Sequence, residues 1–124
     1  MLAILNSGFP EAHQNVTALA ICRQFAIETW FEWTGGLALG GGAAINGRSL
    51  RDAGDMARQA RESLELTAAA LAAGERVPQQ AVDLMAKPLM PAGLYTHTAT
   101  LGWRRQAHRL GSDLEARPFE ESGK

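Results

Sequence analysis

The chain opens on an unbroken apolar run, Leu2 to Leu5, that stops at Asn6-Ser7-Gly8-Phe9-Pro10. A short run without polar alternation, ended by turn residues, predicts a strand covered on both faces, as in a parallel sheet. Apolar positions then recur at helical spacing. Ala18, Ile21, Cys22, Phe25 and Thr29 share one face, which Leu19, Ala26 and Trp30 widen. Pro10 stands where a first helical turn tolerates its missing N–H, and Asn15 offers a second cap if the helix begins later. The breadth of the apolar face predicts a helix that packs widely.

From Trp33 to Leu39 the pattern is extended again, with Leu37-Ala38-Leu39 bounded by Gly35-Gly36 before and Gly40-Gly41-Gly42 after. A second strand is expected there. Ser49-Leu50-Arg51-Asp52 has the form of a capping box with aspartate in place of glutamate, and Leu50, Ala53, Ala57, Ala60, Leu64, Ala68 and Leu71 follow at spacings of three or four. A long helix should therefore start near Ser49 and stop at Gly74. Pro78 can open a short helix through Met85, Pro88 and Pro91 break the chain, and a last helix runs from about Ala92 to Leu110.

The order strand, helix, strand, helix gives an α/β fold with a partial parallel sheet and additional carboxyl-terminal helices. Residues 1–110 are expected to form one incomplete α/β domain that includes the helical extension, and residues 111–124 a polar, flexible tail. Two parallel strands leave edges unpaired and offer little apolar area to the helices. The rest of the sheet must lie in another chain, identical chains must pair to extend it, or the helices must pack in some other way.

Composition narrows this picture only a little. The 124 residues are 46% apolar, as in a globular domain. Twelve basic and thirteen acidic residues leave a formal charge of −1, so no overall field recruits nucleic acid, anionic lipid or a highly charged substrate. One cysteine, Cys22, excludes an intramolecular disulfide framework and a multi-cysteine zinc site and suits a reducing cytoplasm. The opening run has no basic region before it, so it is not read as a signal peptide. No stretch approaches the roughly 20 apolar residues of a membrane-spanning helix.

The candidate chemistry lies in the loop from Asn6 to Asn15, between a strand's carboxyl end and a helix's amino end, where open α/β sheets bind ligands. Gly8 permits close backbone approach, Phe9 can stack on a planar ring, and Glu11, His13, Gln14 and Asn15 can form hydrogen bonds. The same residues also suit a plain strand-to-helix turn. Gly40 to Gly42 lack the following Lys-Ser/Thr of a phosphate loop, so they read as architecture. Trp103, Arg104, Arg105, His108 and Arg109 read as the solvated basic face of a helix, and His13, His97 and His108 lack the spacing of a metal site. Asn15-Val16-Thr17 matches a glycosylation triplet that, without a secretion signal, is accidental.

Three stretches carry a family resemblance: Asn6-Ser7-Gly8-Phe9-Pro10-Glu11 through Asn15; Gly35-Gly36-Leu37-Ala38-Leu39-Gly40-Gly41-Gly42; and Lys87-Pro88-Leu89-Met90-Pro91 with Leu101-Gly102-Trp103-Arg104-Arg105. In these the chain resembles the carboxyl-terminal half of the flavodoxin-fold NAD(P)H-dependent FMN reductases. The resemblance spans nearly the whole sequence and implies the fourth and fifth strands of that fold, their helices, and a carboxyl-terminal extension. It further implies that Gly8, Phe9, Pro10 and Glu11 face the isoalloxazine ring of FMN. The family's phosphate loop follows its first strand and another ring-contacting loop its third, and neither segment has a counterpart here. The resemblance thus implies an oxidoreductase ancestry with an incomplete flavin site, weak or absent FMN binding by the chain alone, and no assigned catalytic residue. The alternative is a non-catalytic homo-oligomer or protein-interaction module.

Overall fold

The computed structural model describes residues 1–116. Strand β1 (Leu2–Asn6) leads through a 3-10 turn (Ala12–Asn15) into helix α1 (Val16–Glu28) and then strand β2 (Gly35–Leu39). Two further 3-10 turns, Gly42–Ile45 and Gly54–Ala57, precede helices α2 (Arg58–Ala72), α3 (Gln79–Met85) and α4 (Ala92–Leu110). The fold is mixed α/β, as the alternation of patterns predicted. The chain divides into two units, Met1–Ala92 and Gly93–Lys124.

In the first unit β1 and β2 pair in parallel, with Leu2 opposite Gly35 and Asn6 opposite Leu39. Side chains alternate across a strand, so this register puts Ala3, Leu5, Gly36 and Ala38 on one face and Ile4, Leu37 and Leu39 on the other. Helix α1 lies against both strands, α3 against β2, and α2 against α3. Leu37, Leu39, Ala60, Ala81 and Met85 form the buried core, flanked by Ile45, Leu64, Leu66, Val77, Val82 and Leu89. Ser63 of α2 bonds the main-chain carbonyl of Ala81 in α3, so the two helices approach closely there. Ile4 shares the face of Leu37 but stays 52% exposed, because α3 covers β2 and not β1.

Three expectations need correction. Helix α2 begins at Arg58 rather than near Ser49. The Ser49 hydroxyl does accept the Asp52 N–H, at 3.1 Å, and Ala53 N–H bonds the Ser49 carbonyl at 3.1 Å, but this closes a single turn. Gly54 then takes φ +59° and breaks the helical path before α2. The buried face of α2 is also rotated from the apolar spacing: Ser63 and Thr67 are buried while Ala68 is exposed. Both polar side chains are satisfied, Ser63 Oγ donating to the Ala81 carbonyl at 2.6 Å and Thr67 Oγ1 to the Ser63 carbonyl at 2.8 Å. The third correction concerns α1, in which Ala26 alone is fully buried. Ile21, Phe25 and Trp30 are exposed and Cys22 is half-buried. A two-stranded sheet is too narrow to cover the broad face that the sequence builds.

Gly74 stops α2 as expected. It takes φ +75°, its N–H bonds the Leu71 carbonyl at 3.0 Å, and the Glu75 N–H reaches the Ala70 carbonyl at 2.9 Å, which is the Schellman arrangement. In the second unit α4 ends the same way at Gly111, with Ser112 N–H bonded to the Ala107 carbonyl at 2.9 Å. Of the expected polar tail, residues 117–124 lie outside the described residues. No helix among the described residues is long and apolar enough to cross a membrane.

Candidate functional site

The loop after β1 is held at the carboxyl ends of both strands by main-chain bonds to β2 and the glycines beyond it. Ser7 N–H donates to the Leu39 carbonyl at 3.2 Å, Gly42 N–H to the Ser7 carbonyl at 3.1 Å, and Gly41 N–H to the Phe9 carbonyl. The two loops touch so closely that side chains are excluded between them. A Cβ on Gly40 would fall on the Pro10 carbonyl and within 2.8 Å of the Ala12 nitrogen, and one on Gly42 would overlap the Asn6 side-chain amide. The glycine run is a packing surface for the first loop, consistent with its architectural reading.

Asn15 secures the other end of the loop. It stands at the start of α1 but caps nothing with its side chain. Instead its amide, in a residue only 6% exposed, donates to Ser7 Oγ at 3.2 Å, the Ala12 carbonyl at 3.3 Å and the Leu39 carbonyl at 3.1 Å. The 3-10 turn from Ala12 to Asn15 runs straight into α1, which leaves Asn15 in a helical conformation unsuited to capping. Burial of Asn15 also removes it as a glycan acceptor in the folded chain.

Against this frame the four residues implied to face a flavin separate into two pairs. Pro10 and Glu11 line an open cleft of about 370 Å³ together with Ala12, His13, Ala86, Pro88 and Ala92. Gly8 and Phe9 lie outside its lining, Phe9 at the exposed tip of the loop with 62% of its surface in solvent. The far wall of the cleft, Ala86 to Ala92, comes from the segment after α3. In the sequence this segment is marked only by the paired prolines of Lys87 to Pro91.

The cleft is mostly apolar, and its volume falls within the roughly 300–1,000 Å³ typical of small-molecule sites. It is lined by one carboxylate, Glu11, one imidazole, His13, and no lysine or arginine. It has no lysine or arginine side chain of the kind that holds a phosphate dianion.

The remaining sequence candidates are dispersed. Trp103, Arg104, Arg105, His108 and Arg109 are all exposed on α4, in the second unit. No group of three or more His, Cys, Asp or Glu side chains among the described residues could hold a metal ion. Comparison of the chain with protein-family models, curated proteins and solved structures finds no match.

Proposed function

We propose that the first unit is a flavodoxin-like half sheet whose β1–α1 loop forms one wall of a flavin site, the wall against the isoalloxazine ring. The observation that carries this reading is the apolar cleft bordered by Pro10 and Glu11 at the carboxyl ends of parallel strands, with an exposed phenyl ring beside it. Strand ends of open α/β sheets are where planar cofactors dock. Within such a site Phe9 offers a face for stacking, Glu11 and His13 supply a hydrogen-bonding rim, and Pro88 and Ala92 close the opposite side.

Bound FMN would supply the hydride chemistry, and the protein orientation and exclusion of water. Without a phosphate anchor the ring is held by one-sided apolar contact, which corresponds to a Kd on the order of 1 mM, about −4 kcal/mol. On this reading the half-site is akin to that of the NAD(P)H-dependent flavin reductases, with these residues supplying the wall against the ring.

Titration of the full chain with FMN, followed by quenching of flavin and tryptophan fluorescence, tests this reading. A saturable change is expected, with Phe9→Ala weakening it by about 1–3 kcal/mol, the usual worth of a stacked ring. No saturable change with FMN taken well past a concentration of about 1 mM, or a Phe9→Ala chain that binds as well as the unaltered one, overturns it.

A further inference from the structure

The outer edge of β1 can be read residue by residue. Successive residues of a strand turn their N–H and C=O groups to opposite sides, so in a parallel pair every second residue bonds the neighbour. Thr34 N–H donates to the Met1 carbonyl at 3.0 Å, and Ser7 N–H donates to the Leu39 carbonyl at 3.2 Å. The odd-numbered residues of β1 therefore face β2. Leu2, Ile4 and Asn6 direct their main-chain groups to the opposite edge, and among the described residues the sheet has no strand beyond β1.

Natural edges are blunted by lysines, prolines, bulges or a covering loop. Leu2-Ala3-Ile4-Leu5-Asn6 carries no charge and no proline, and its pairing with β2 is regular along its length. The edge also complements itself. Antiparallel pairing of two copies about a two-fold axis at Ile4 sets Ile4 opposite Ile4, and Leu2 opposite Asn6 in both directions. All of these residues have outward-facing main-chain groups, so the register satisfies every one of them.

We infer that a second copy of this chain adds its β1 antiparallel to the first, giving a four-stranded sheet in the order β2–β1–β1–β2. Isologous pairing of this kind closes on itself and forms a dimer rather than a fibre. It brings the two half-exposed Ile4 side chains together, and it sets one α1 beside the other on the opposite face of the sheet. No charged side chain of β1 opposes the approach.

The inference does not depend on flavin binding, and its test is separate. Light scattering and sedimentation of the full chain at about 100 μM should give twice the monomer mass, and Ile4→Lys should return it to the monomer by placing like charges on the axis. Amide exchange at high and low concentration reports the same pairing without any substitution. Ala3 and Leu5 should be protected at both concentrations, whereas Ile4 and Asn6 should gain protection only at the higher one. A monomeric chain at 100 μM overturns the inference, and so does a dimer in which the Ile4 and Asn6 amides exchange freely.

Discussion

The side-chain amide of Asn15 donates a hydrogen bond to the main-chain carbonyl of Leu39 at 3.1 Å, tying the start of α1 to the carboxyl end of β2. Through this bond, and those to Ser7 and Ala12, one buried side chain fixes the shape of the candidate ligand loop. Replacing it removes a donor from the Ser7 hydroxyl and from the Ala12 and Leu39 carbonyls, of which the Leu39 carbonyl keeps the Ser7 N–H. Asn15→Ala is expected to cost about 1–3 kcal/mol by chemical denaturation. Asn15→Asp separates two roles for the residue. A helix cap tolerates aspartate well, whereas a donor to carbonyls does not. Aspartate is therefore expected to be at least as destabilising as alanine, and a neutral Asn15→Asp would contradict the assignment.

The glycine run after β2 should respond unequally to methyl groups. At Gly40 the added carbon meets the main chain of Pro10, which has nowhere to go, and overpacking of this kind costs about 1–3 kcal/mol. At Gly42 it meets the end of the Asn6 side chain, which is exposed and can swing aside. Gly40→Ala should lower Tm clearly more than Gly42→Ala, and only the former should displace the loop that carries Pro10 and Glu11. Comparable losses at both positions would contradict this account of the loop contact.

Trp30 occupies the left-handed position that closes α1, at φ +60°, with its side chain 95% exposed. Its N–H bonds the Ile27 carbonyl at 3.3 Å and the Phe31 N–H bonds the Ala26 carbonyl at 2.9 Å, the arrangement that elsewhere in the chain is built on Gly74 and Gly111. A bulky residue there bears a steric cost that glycine avoids. Trp30→Gly is expected to stabilise the chain by about 1 kcal/mol, net of the glycine's greater unfolded-state freedom. Trp30→Ala keeps the strained backbone and should give no comparable gain.

Ser63 joins α2 to α3 through a 2.6 Å bond to the Ala81 carbonyl in a fully buried setting. Ser63→Ala should cost about 1–2 kcal/mol, because the carbonyl loses a donor that solvent cannot replace. Ala68→Ser, on the exposed side of the same helix, should change stability by less than about 0.5 kcal/mol. The pair of measurements locates the buried face directly.

The elements that the sequence made legible are those whose signal is local. The apolar run of β1, the glycine-bounded β2, the Pro78 start of α3 and the Gly74 stop of α2 each depend on a few neighbouring residues. The false start of α2 at Ser49 was also locally sound, since the cap forms, and it failed only because Gly54 turns the chain five residues later. What stayed hidden depends on the partners of each face. Ile21 and Phe25 have helical spacing suited to a core, but whether they are buried is decided by how many strands lie beneath α1. The site divides in the same way. Of the four residues expected at a flavin ring, Pro10 and Glu11 line the cleft while Gly8 and Phe9 do not, and its other wall, Ala86, Pro88 and Ala92, comes from a segment distant in sequence.

The half-site claim is tested most directly by the ratio of FMN to riboflavin affinity. The two ligands share the ring and differ in the phosphate, and the cleft lined by Glu11 and His13 offers that phosphate no lysine or arginine. Parallel titrations of the full chain should yield dissociation constants within about threefold of each other, a difference below roughly 0.7 kcal/mol. FMN binding tenfold or more tightly than riboflavin would mean that the chain holds the phosphate after all, and would contradict the account.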